Sequence, residues 1–218
     1  MRVLLALAGL VLLTGAAPQS APVAQTAAGA YVLGSPTARV KIVEYASYTC
    51  SHCADFAQQS EAVLKGRYIK SGSTSLEFRH LIRDRLDLAA AILARCTGPS
   101  GFFPTTAAIF AAQGTWLQKG VEFQNANAAR VNLYPRLAQL RAYADGAGLT
   151  DLVKARGLSE DKIAACFADS AEVDRILAIT AAAPAEVDST PSFFLNGRPV
   201  PHVGWEQLDP KLRAAGAK

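Results

Sequence analysis

The chain has 218 residues, half of them hydrophobic, which is enough for one compact domain with a sizeable core and argues against a disordered protein. Its formal net charge is only +4, from 22 basic and 18 acidic residues, and a balance this mild does not indicate a nucleic-acid partner.

The first residues have the pattern of a secretory signal. Arg2 precedes the apolar run 3–13, and the small residues 14–17 follow it. An apolar run of about 11 residues is shorter than the roughly 20 that span a bilayer, so a membrane anchor is the weaker interpretation. We therefore interpret residues 1–24 as a signal peptide and the start of a spacer, which predicts a periplasmic protein.

The boundary between leader and domain is less defined. Small residues leave the cleavage site open between Ala16, Ala24 and Ala28. The composition of residues 18–29 indicates a flexible spacer. The folded domain is therefore expected to cover residues 30–218.

A strand, a helix and a second strand follow the spacer. Residues 39–45 alternate polar and apolar side chains, which predicts a strand with one face in a core. Residues 50–70 repeat apolar side chains at helical spacing, and residues 76–82 form a second strand-like run. This order predicts a βαβ unit with parallel strands.

The rest of the chain alternates between helical and strand signals. Alanine-rich sequence over about 84–186 predicts several short helices, because glycine and proline interrupt it repeatedly. Residues 192–195 predict a strand, the Asn-Gly pair at 196–197 a hairpin turn, and 198–203 an edge strand, since its prolines cannot donate to a ladder. A last helix is predicted over 206–214.

The four cysteines form two different pairs. Cys50 and Cys53 frame the tetrapeptide Cys-Ser-His-Cys at the start of the first helix. A disulfide there closes a tiny loop, so its stability depends on how stable the reduced thiolate is, which indicates a redox-active pair. Cys96 and Cys166 lie on apolar helical faces, and in an exported protein we expect a structural disulfide between them; two separately buried thiols are the alternative.

The tetrapeptide and the late element Thr-Pro-Ser-Phe-Phe-Leu-Asn-Gly at 190–197 together resemble the DsbA-like branch of the thioredoxin superfamily. The resemblance covers the chain after the spacer. It implies an α/β fold, a thioredoxin-like central sheet flanked by helices, with an inserted all-helical subdomain at about 84–186. It also implies a thiol:disulfide oxidoreductase that uses no cofactor beyond the Cys50–Cys53 disulfide.

The resemblance assigns roles that physical arguments support. Cys50 is the attacking thiol, because unpaired N–H groups at a helix start stabilise its thiolate, and the more buried Cys53 resolves. Lowering a cysteine pKa from about 8.5 to about 4 needs roughly 6 kcal/mol, whereas a helix terminus supplies at most about 2. We therefore expect His52 to supply part of the remainder.

Two further residues, Glu44 and Pro191, match the family's site. Glu44 corresponds to a buried acid behind the resolving cysteine, where it can take the proton of Cys53; a solvent-facing strand glutamate is the alternative. Pro191 corresponds to a cis-proline that leaves the backbone at Thr190 free to pair with an extended substrate. The best-known oxidases often carry valine in place of Thr190 and proline in place of Ser51, so the oxidising strength of this site is open.

The predicted function is donation of the Cys50–Cys53 disulfide to unfolded or folding exported proteins that carry free thiols. The family implies a membrane redox partner that reoxidises the protein, and the short N-terminal region indicates a monomer. Two alternatives stay open. One is a reductase or isomerase kept reduced in the periplasm, and the other is a non-enzymatic copper- or zinc-binding protein that uses the Cys-x-His-Cys residues.

Overall fold

The computed structural model describes residues 21–218; the signal-like residues 1–20 and the cleavage candidate Ala16 lie outside the described residues. The strands of the described part are β1 (Val23–Gln25), β2 (Tyr31–Gly34), β3 (Val40–Ala46), β4 (Thr74–His80), β5 (Ser192–Leu195) and β6 (Arg198–Val200). They form one mixed sheet in the order β1-β2-β4-β3-β5-β6.

The centre of the sheet is the predicted βαβ unit. Strands β3 and β4 pair in parallel, with Glu44 opposite Phe78, and β5 pairs antiparallel on the other side of β3. Strand β4 begins two residues earlier than the sequence suggested, because the small polar residues Thr74 and Ser75 are buried and pair with the start of β3. Strand β6 is an edge strand, as its prolines predicted.

The N-terminal edge corrects the sequence interpretation. Within the supposed spacer, Val23–Gln25 form strand β1, which pairs antiparallel with β2. The buried Arg95 side chain donates to the Gly29 carbonyl oxygen at 2.8 Å and so ties the β1–β2 turn to the helical region. The folded part therefore begins before residue 30. A strand of three residues is too short to show an alternation that the sequence could reveal.

The first helix is continuous but changes its winding. Helix α1 covers Ser51–Ser60, and Glu61–Ile69 continue it as a π-helical segment, which the helical spacing did not reveal. Helix α1 packs against the helical insertion and the C-terminal helix.

The insertion between β4 and β5 consists, in the described chain, of helices α2 (Arg85–Cys96), α3 (Gly98–Ala111), α4 (Gln113–Val131), α5 (Arg136–Gly146), α6 (Leu149–Lys154), α7 (Glu160–Ala168) and α8 (Ser170–Ala181). Helix α2 lies at its centre: every residue from Leu86 to Cys96 is buried, and α2 contacts α3, α5, α7 and α8. A helix that is apolar on all sides is typical of such a position. A disulfide joins Cys96 at its end to Cys166 on α7.

The chain closes with helix α9 (Trp205–Ala215), which packs against α1 beside the cysteine pair. Within residues 21–218, no helix has both the length and the apolar composition that a membrane crossing requires. Helix α1 thus lies against the insertion and α9, and its Phe56 packs on Phe193 of strand β5.

Candidate active site

The start of α1 presents Cys50 at the edge of the core. Strand β3 ends at Ala46, a short loop follows, and Cys50 takes the extended conformation (φ −94°, ψ 119°) of a residue that precedes the first helical turn. Cys50 and Cys53 are both free thiols; Cys50 is 5% exposed and Cys53 is fully buried. Only Cys50 is therefore accessible to another molecule.

The pKa of Cys50 is lowered to about 5. The largest cause is a hydrogen bond from the Cys53 thiol to the Cys50 sulfur, while burial acts in the opposite direction. A hydrogen bond with the Thr190 side chain and the backbone N–H groups of Cys53 and His52 lower the pKa further. Cys50 is thus mainly a thiolate at neutral pH.

The pKa of Cys53 is raised far above the ordinary value of a thiol. Burial is the main cause, followed by the hydrogen bond that Cys53 makes with Cys50 and by the negative charge of Glu44. The shared proton therefore stays on Cys53. The two thiols have opposite acidities although they lie in one helical turn, which fits the attacking and resolving roles expected for them.

His52 contributes in a different way from the one expected. Its side chain is exposed, and among the hydrogen bonds of the described residues its ring makes none, whereas its backbone N–H helps to lower the pKa of Cys50. We expected the imidazole to supply the stabilisation. The leading contribution comes instead from the hydrogen bond that the Cys53 thiol makes with the Cys50 sulfur.

Glu44 lies inside the protein, behind Cys53. It is 4% exposed and shares the inward face of β3 with Ile42, where Phe56 and Phe78 line a small cavity around it. Burial raises its pKa to about 8, although the positive charge of Lys65 partly opposes this. The solvent-facing alternative is therefore wrong.

Thr190 and Pro191 face the cysteine pair from the opposite side. The Thr190–Pro191 peptide bond is cis, and the Thr190 carbonyl oxygen lies 3.2 Å from the Cys50 Sγ, where it accepts from the protonated thiol. The Thr190 side chain stabilises the Cys50 thiolate. Thr190 therefore has a hydrogen-bonding group for each protonation state of Cys50, the carbonyl oxygen for the thiol and the side chain for the thiolate.

A groove of about 410 Å³ opens beside the cysteine pair, between the start of α1 and the loop before α9. Its lining combines aromatic and imidazole side chains with hydroxyl and carboxylate groups, among them His52, Asp55, Phe56, Thr190, His202 and Trp205. A groove of this composition can accommodate an extended peptide with its sulfur at Cys50.

The loop before Cys50 is held by residues that the sequence did not single out. Asp87 on α2 accepts hydrogen bonds from the Ser47 hydroxyl at 2.6 Å and the Tyr48 N–H at 2.8 Å. Gln113 at the start of α4 donates to the carbonyl oxygens of Tyr48 and Cys50. Burial raises the pKa of Asp87 to about 7 despite these bonds. A carboxylate in the first turn of a helix rich in alanine and leucine is the one sequence signal that could have indicated Asp87.

The metal-binding alternative would need several ligands placed close together. Among residues 21–218, no group of three or more histidine, cysteine, aspartate or glutamate side chains is placed to hold a metal ion. Of the three Cys-x-His-Cys side chains, the two thiols are hydrogen-bonded to each other, and the His52 side chain is exposed.

Comparison with known proteins agrees with this geometry. A family model described as thioredoxin matches residues 26–213, which is most of the chain. The chain belongs to the thioredoxin family. Among solved structures, a protein-disulfide isomerase from Novosphingobium aromaticivorans is 30% identical, with a TM-score of 0.78, and the match covers 84% of this chain and 95% of that one.

A second solved structure shows the form of the fold. The alpha-DsbA1 protein of Wolbachia pipientis has a TM-score of 0.67 at 23% identity, and the match covers 84% of this chain and 89% of that one. The expected DsbA-like thioredoxin fold with a helical insertion is confirmed.

Sequence relatives extend the comparison to longer proteins. A protein of Rickettsia typhi with the provisional name protein-disulfide oxidoreductase is 33% identical over 170 residues, which are 76% of this chain and 54% of the relative. A counterpart from Rickettsia conorii is 33% identical over 169 residues, 76% of this chain and 53% of its own length. The chain thus spans about half the length of these relatives.

The source of the Cys50 acidity can be tested with three variants. We expect Cys53→Ala to raise the Cys50 pKa by about 1 to 2 units, because a hydrogen bond to a charged group contributes about 1.5–3 kcal/mol. Cys53→Ser keeps a hydroxyl donor and should give a smaller rise. His52→Ala keeps its backbone N–H and should leave the pKa nearly unchanged. The pH dependence of Cys50 alkylation in the reduced protein measures all three, and a rise in His52→Ala as large as that in Cys53→Ala contradicts this assignment.

Proposed function

We propose that this protein is an exported thiol:disulfide oxidoreductase that donates its Cys50–Cys53 disulfide to folding exported proteins. The observation that carries the proposal is the opposite acidity of the two thiols, with a lowered pKa at Cys50 and a raised pKa at Cys53. A stabilised thiolate stabilises the reduced protein, so the oxidised form tends to pass its disulfide to another dithiol. The names of the N. aromaticivorans and R. typhi proteins support the same class of activity.

The reaction proceeds through two exchanges. A substrate thiolate attacks the Cys50 sulfur, the bond from Cys50 to Cys53 breaks, and Cys53 leaves with the electron pair. A second substrate thiolate then attacks the substrate sulfur of this mixed disulfide and releases Cys50 as a thiolate. The substrate loses two electrons and the protein gains them. Because Cys50 ionises readily, it is a good leaving group in the second exchange.

Glu44 is proposed to exchange a proton with Cys53. Cys53 is fully buried, so its sulfur cannot leave as a lasting anion and needs a proton from a nearby group. With a pKa of about 8, Glu44 carries a proton at neutral pH and can supply it. It takes the proton back when Cys53 attacks in the reverse direction.

The groove beside the site is the proposed binding place of the substrate chain. The backbone at Thr190, next to the Cys50 sulfur, can pair with an extended peptide, and backbone pairing is tolerant of sequence. We propose that the protein works as a monomer in the periplasm and that a membrane redox partner restores its disulfide. These features follow from the family resemblance and from the signal-like leader.

One observation favours a second candidate function, disulfide isomerisation. The N. aromaticivorans structure, at 30% identity, is named a protein-disulfide isomerase. An isomerase starts from the reduced form and attacks wrong disulfides with Cys50. The same site can perform this attack, so the redox state in which the protein is held decides between the two functions.

The first prediction from this proposal concerns the reduction potential. At equilibrium with glutathione, we expect a potential closer to about −120 mV than to thioredoxin's about −270 mV, because the Cys50 thiolate stabilises the reduced form. The oxidised protein should form disulfides in a reduced, unfolded substrate, and Cys50→Ser should abolish this. A potential near that of thioredoxin, together with activity only on scrambled disulfides, supports the isomerase instead.

The pH dependence of stability is a second readout of the same property. The Cys50 pKa is lowered in the folded reduced protein, so its thiolate stabilises that protein above the ordinary thiol pKa, and this contribution is lost as the pH falls through about 5. At pH 7 the reduced form should therefore have a higher melting temperature than the oxidised form, and this difference should decrease towards pH 5. A difference in melting temperature that does not change with pH contradicts the assignment of Cys50 as a thiolate at neutral pH.

The next prediction concerns the proton on Glu44. For Glu44→Gln we expect slower attack by a small thiol on the oxidised protein below pH 8, because glutamine cannot supply a proton to Cys53. In the wild type, the rate per attacking thiolate should fall as the pH rises through about 8, where Glu44 ionises. Stopped-flow kinetics measures both profiles. Glu77→Gln is the matched control, since Glu77 lies on the opposite face of the sheet and bonds to Arg79. Equal profiles in wild type and Glu44→Gln refute the role.

Export also leads to a prediction, because strand β1 restricts where the leader can be cut. Cleavage after Ala24 would divide β1, and cleavage after Ala28 would remove it together with the bond from Thr26 N–H to the Ala30 carbonyl oxygen. Of the three candidates, we therefore expect cleavage after Ala16. The intact mass of the protein isolated from the periplasm measures the new N-terminus. A mature chain that starts at Gln25 or Gly29 contradicts the prediction.

A further inference from the structure

The helical insertion is hydrogen-bonded to the loop before Cys50 through Tyr48. Tyr48 lies two residues before Cys50 and is fully buried. Its N–H donates to Asp87 on α2 at 2.8 Å, its hydroxyl pairs with Thr106 on α3 at 2.7 Å, and its carbonyl oxygen accepts from Gln113 on α4 at 2.7 Å. All three polar groups of Tyr48 are thus bonded to three different helices of the insertion. Buried polar groups need such partners, because no water can replace them.

Gln113 also reaches the cysteine itself. The same side-chain nitrogen donates to the Cys50 carbonyl oxygen at 2.9 Å. Both partners are carbonyl oxygens, which only accept, so the amino end of the carboxamide must face them. The two hydrogens of one amino group therefore hold the carbonyl groups of Tyr48 and Cys50 at the same time.

The Cys50 carbonyl group is a sensitive point in the site. It is the first acceptor of α1 and receives the N–H groups of Cys53 at 3.2 Å and Ala54 at 3.3 Å. Its direction therefore fixes the first turn of the helix. The N–H groups of His52 and Cys53 in that turn stabilise the negative charge on the Cys50 sulfur.

We propose, resting on the function proposed above, that Gln113 is a positioning residue of the redox site. It holds the carbonyl groups of Tyr48 and Cys50 and thereby orients the N–H groups in the first turn of α1 towards the Cys50 sulfur. The insertion then takes part in setting the redox behaviour of Cys50, in addition to covering the thioredoxin core. Gln113 touches neither sulfur and acts through the backbone.

A purely structural role of Gln113 makes a different prediction. If the side chain only satisfies buried carbonyl groups, its loss lowers the stability of the oxidised and the reduced protein equally. If it positions the first turn, its loss destabilises the thiolate of the reduced protein in particular. The acidity of Cys50 and the equilibrium with glutathione then change, and both can be measured without reference to overall stability.

The test compares variants of the full chain. Gln113→Met keeps the shape of the side chain and removes the donor. We expect it to raise the Cys50 pKa and to shift the glutathione equilibrium roughly 2- to 10-fold towards the disulfide form, the effect of about one hydrogen bond. Gln113→Asn is too short to bridge both carbonyl groups and should give a smaller shift in the same direction. Gln118→Met on the same helix is the matched control, because Gln118 is exposed and bonds only to Glu122.

The outcomes separate the two hypotheses. Lower melting temperatures in both redox states, with the Cys50 pKa and the glutathione equilibrium unchanged, overturn the positioning role. If Gln113→Met does not fold, Gln113→Asn decides by the same two measurements. An ordinary Cys50 pKa in the wild type refutes the proposed oxidant function itself, and that result is obtained before any Gln113 variant is made.

Discussion

The hydrogen bond from the Cys53 thiol to the Cys50 sulfur is the interaction on which the site depends. One proton serves both cysteines, and it stays on Cys53 because that sulfur is fully buried and hydrogen-bonded to Cys50. The same bond therefore makes Cys50 a stable anion and Cys53 a very weak acid. Two chemically identical side chains obtain different roles from a difference in burial and from their order in one helical turn.

The fold produces this difference by placing the start of α1 between the buried core and the surface groove. Strand β3 carries Glu44 into the core below Cys53, while the loop after β3 brings Cys50 to the surface groove beside Thr190. The N–H groups of His52 and Cys53, in the first turn, stabilise the negative charge on the sulfur of Cys50. The insertion holds the loop from the other side through Asp87 and Gln113. Sheet, helix and insertion each contribute one constraint to a single sulfur atom.

Local patterns were enough to predict the central part of the protein. Alternation revealed β3, helical spacing revealed α1, and the two motifs together indicated the family. Contacts between distant residues were not predictable: Asp87 bonds to a residue 39 positions away and Gln113 to one 65 positions away. The expectation for the His52 ring rested on its position between the cysteines, which does not determine where an exposed side chain points. Strand β1 was missed because three residues are too few to show an alternation.

The bond between Cys96 and Cys166 places a requirement on the protein's own maturation. Two electrons must be withdrawn from these thiols before helices α2 and α7 are joined as the structure shows. An oxidant of the proposed kind is what performs this reaction in an exported chain. A newly made molecule thus requires, for its own insertion, the same two-electron oxidation of a dithiol that the finished molecule is proposed to perform on other chains.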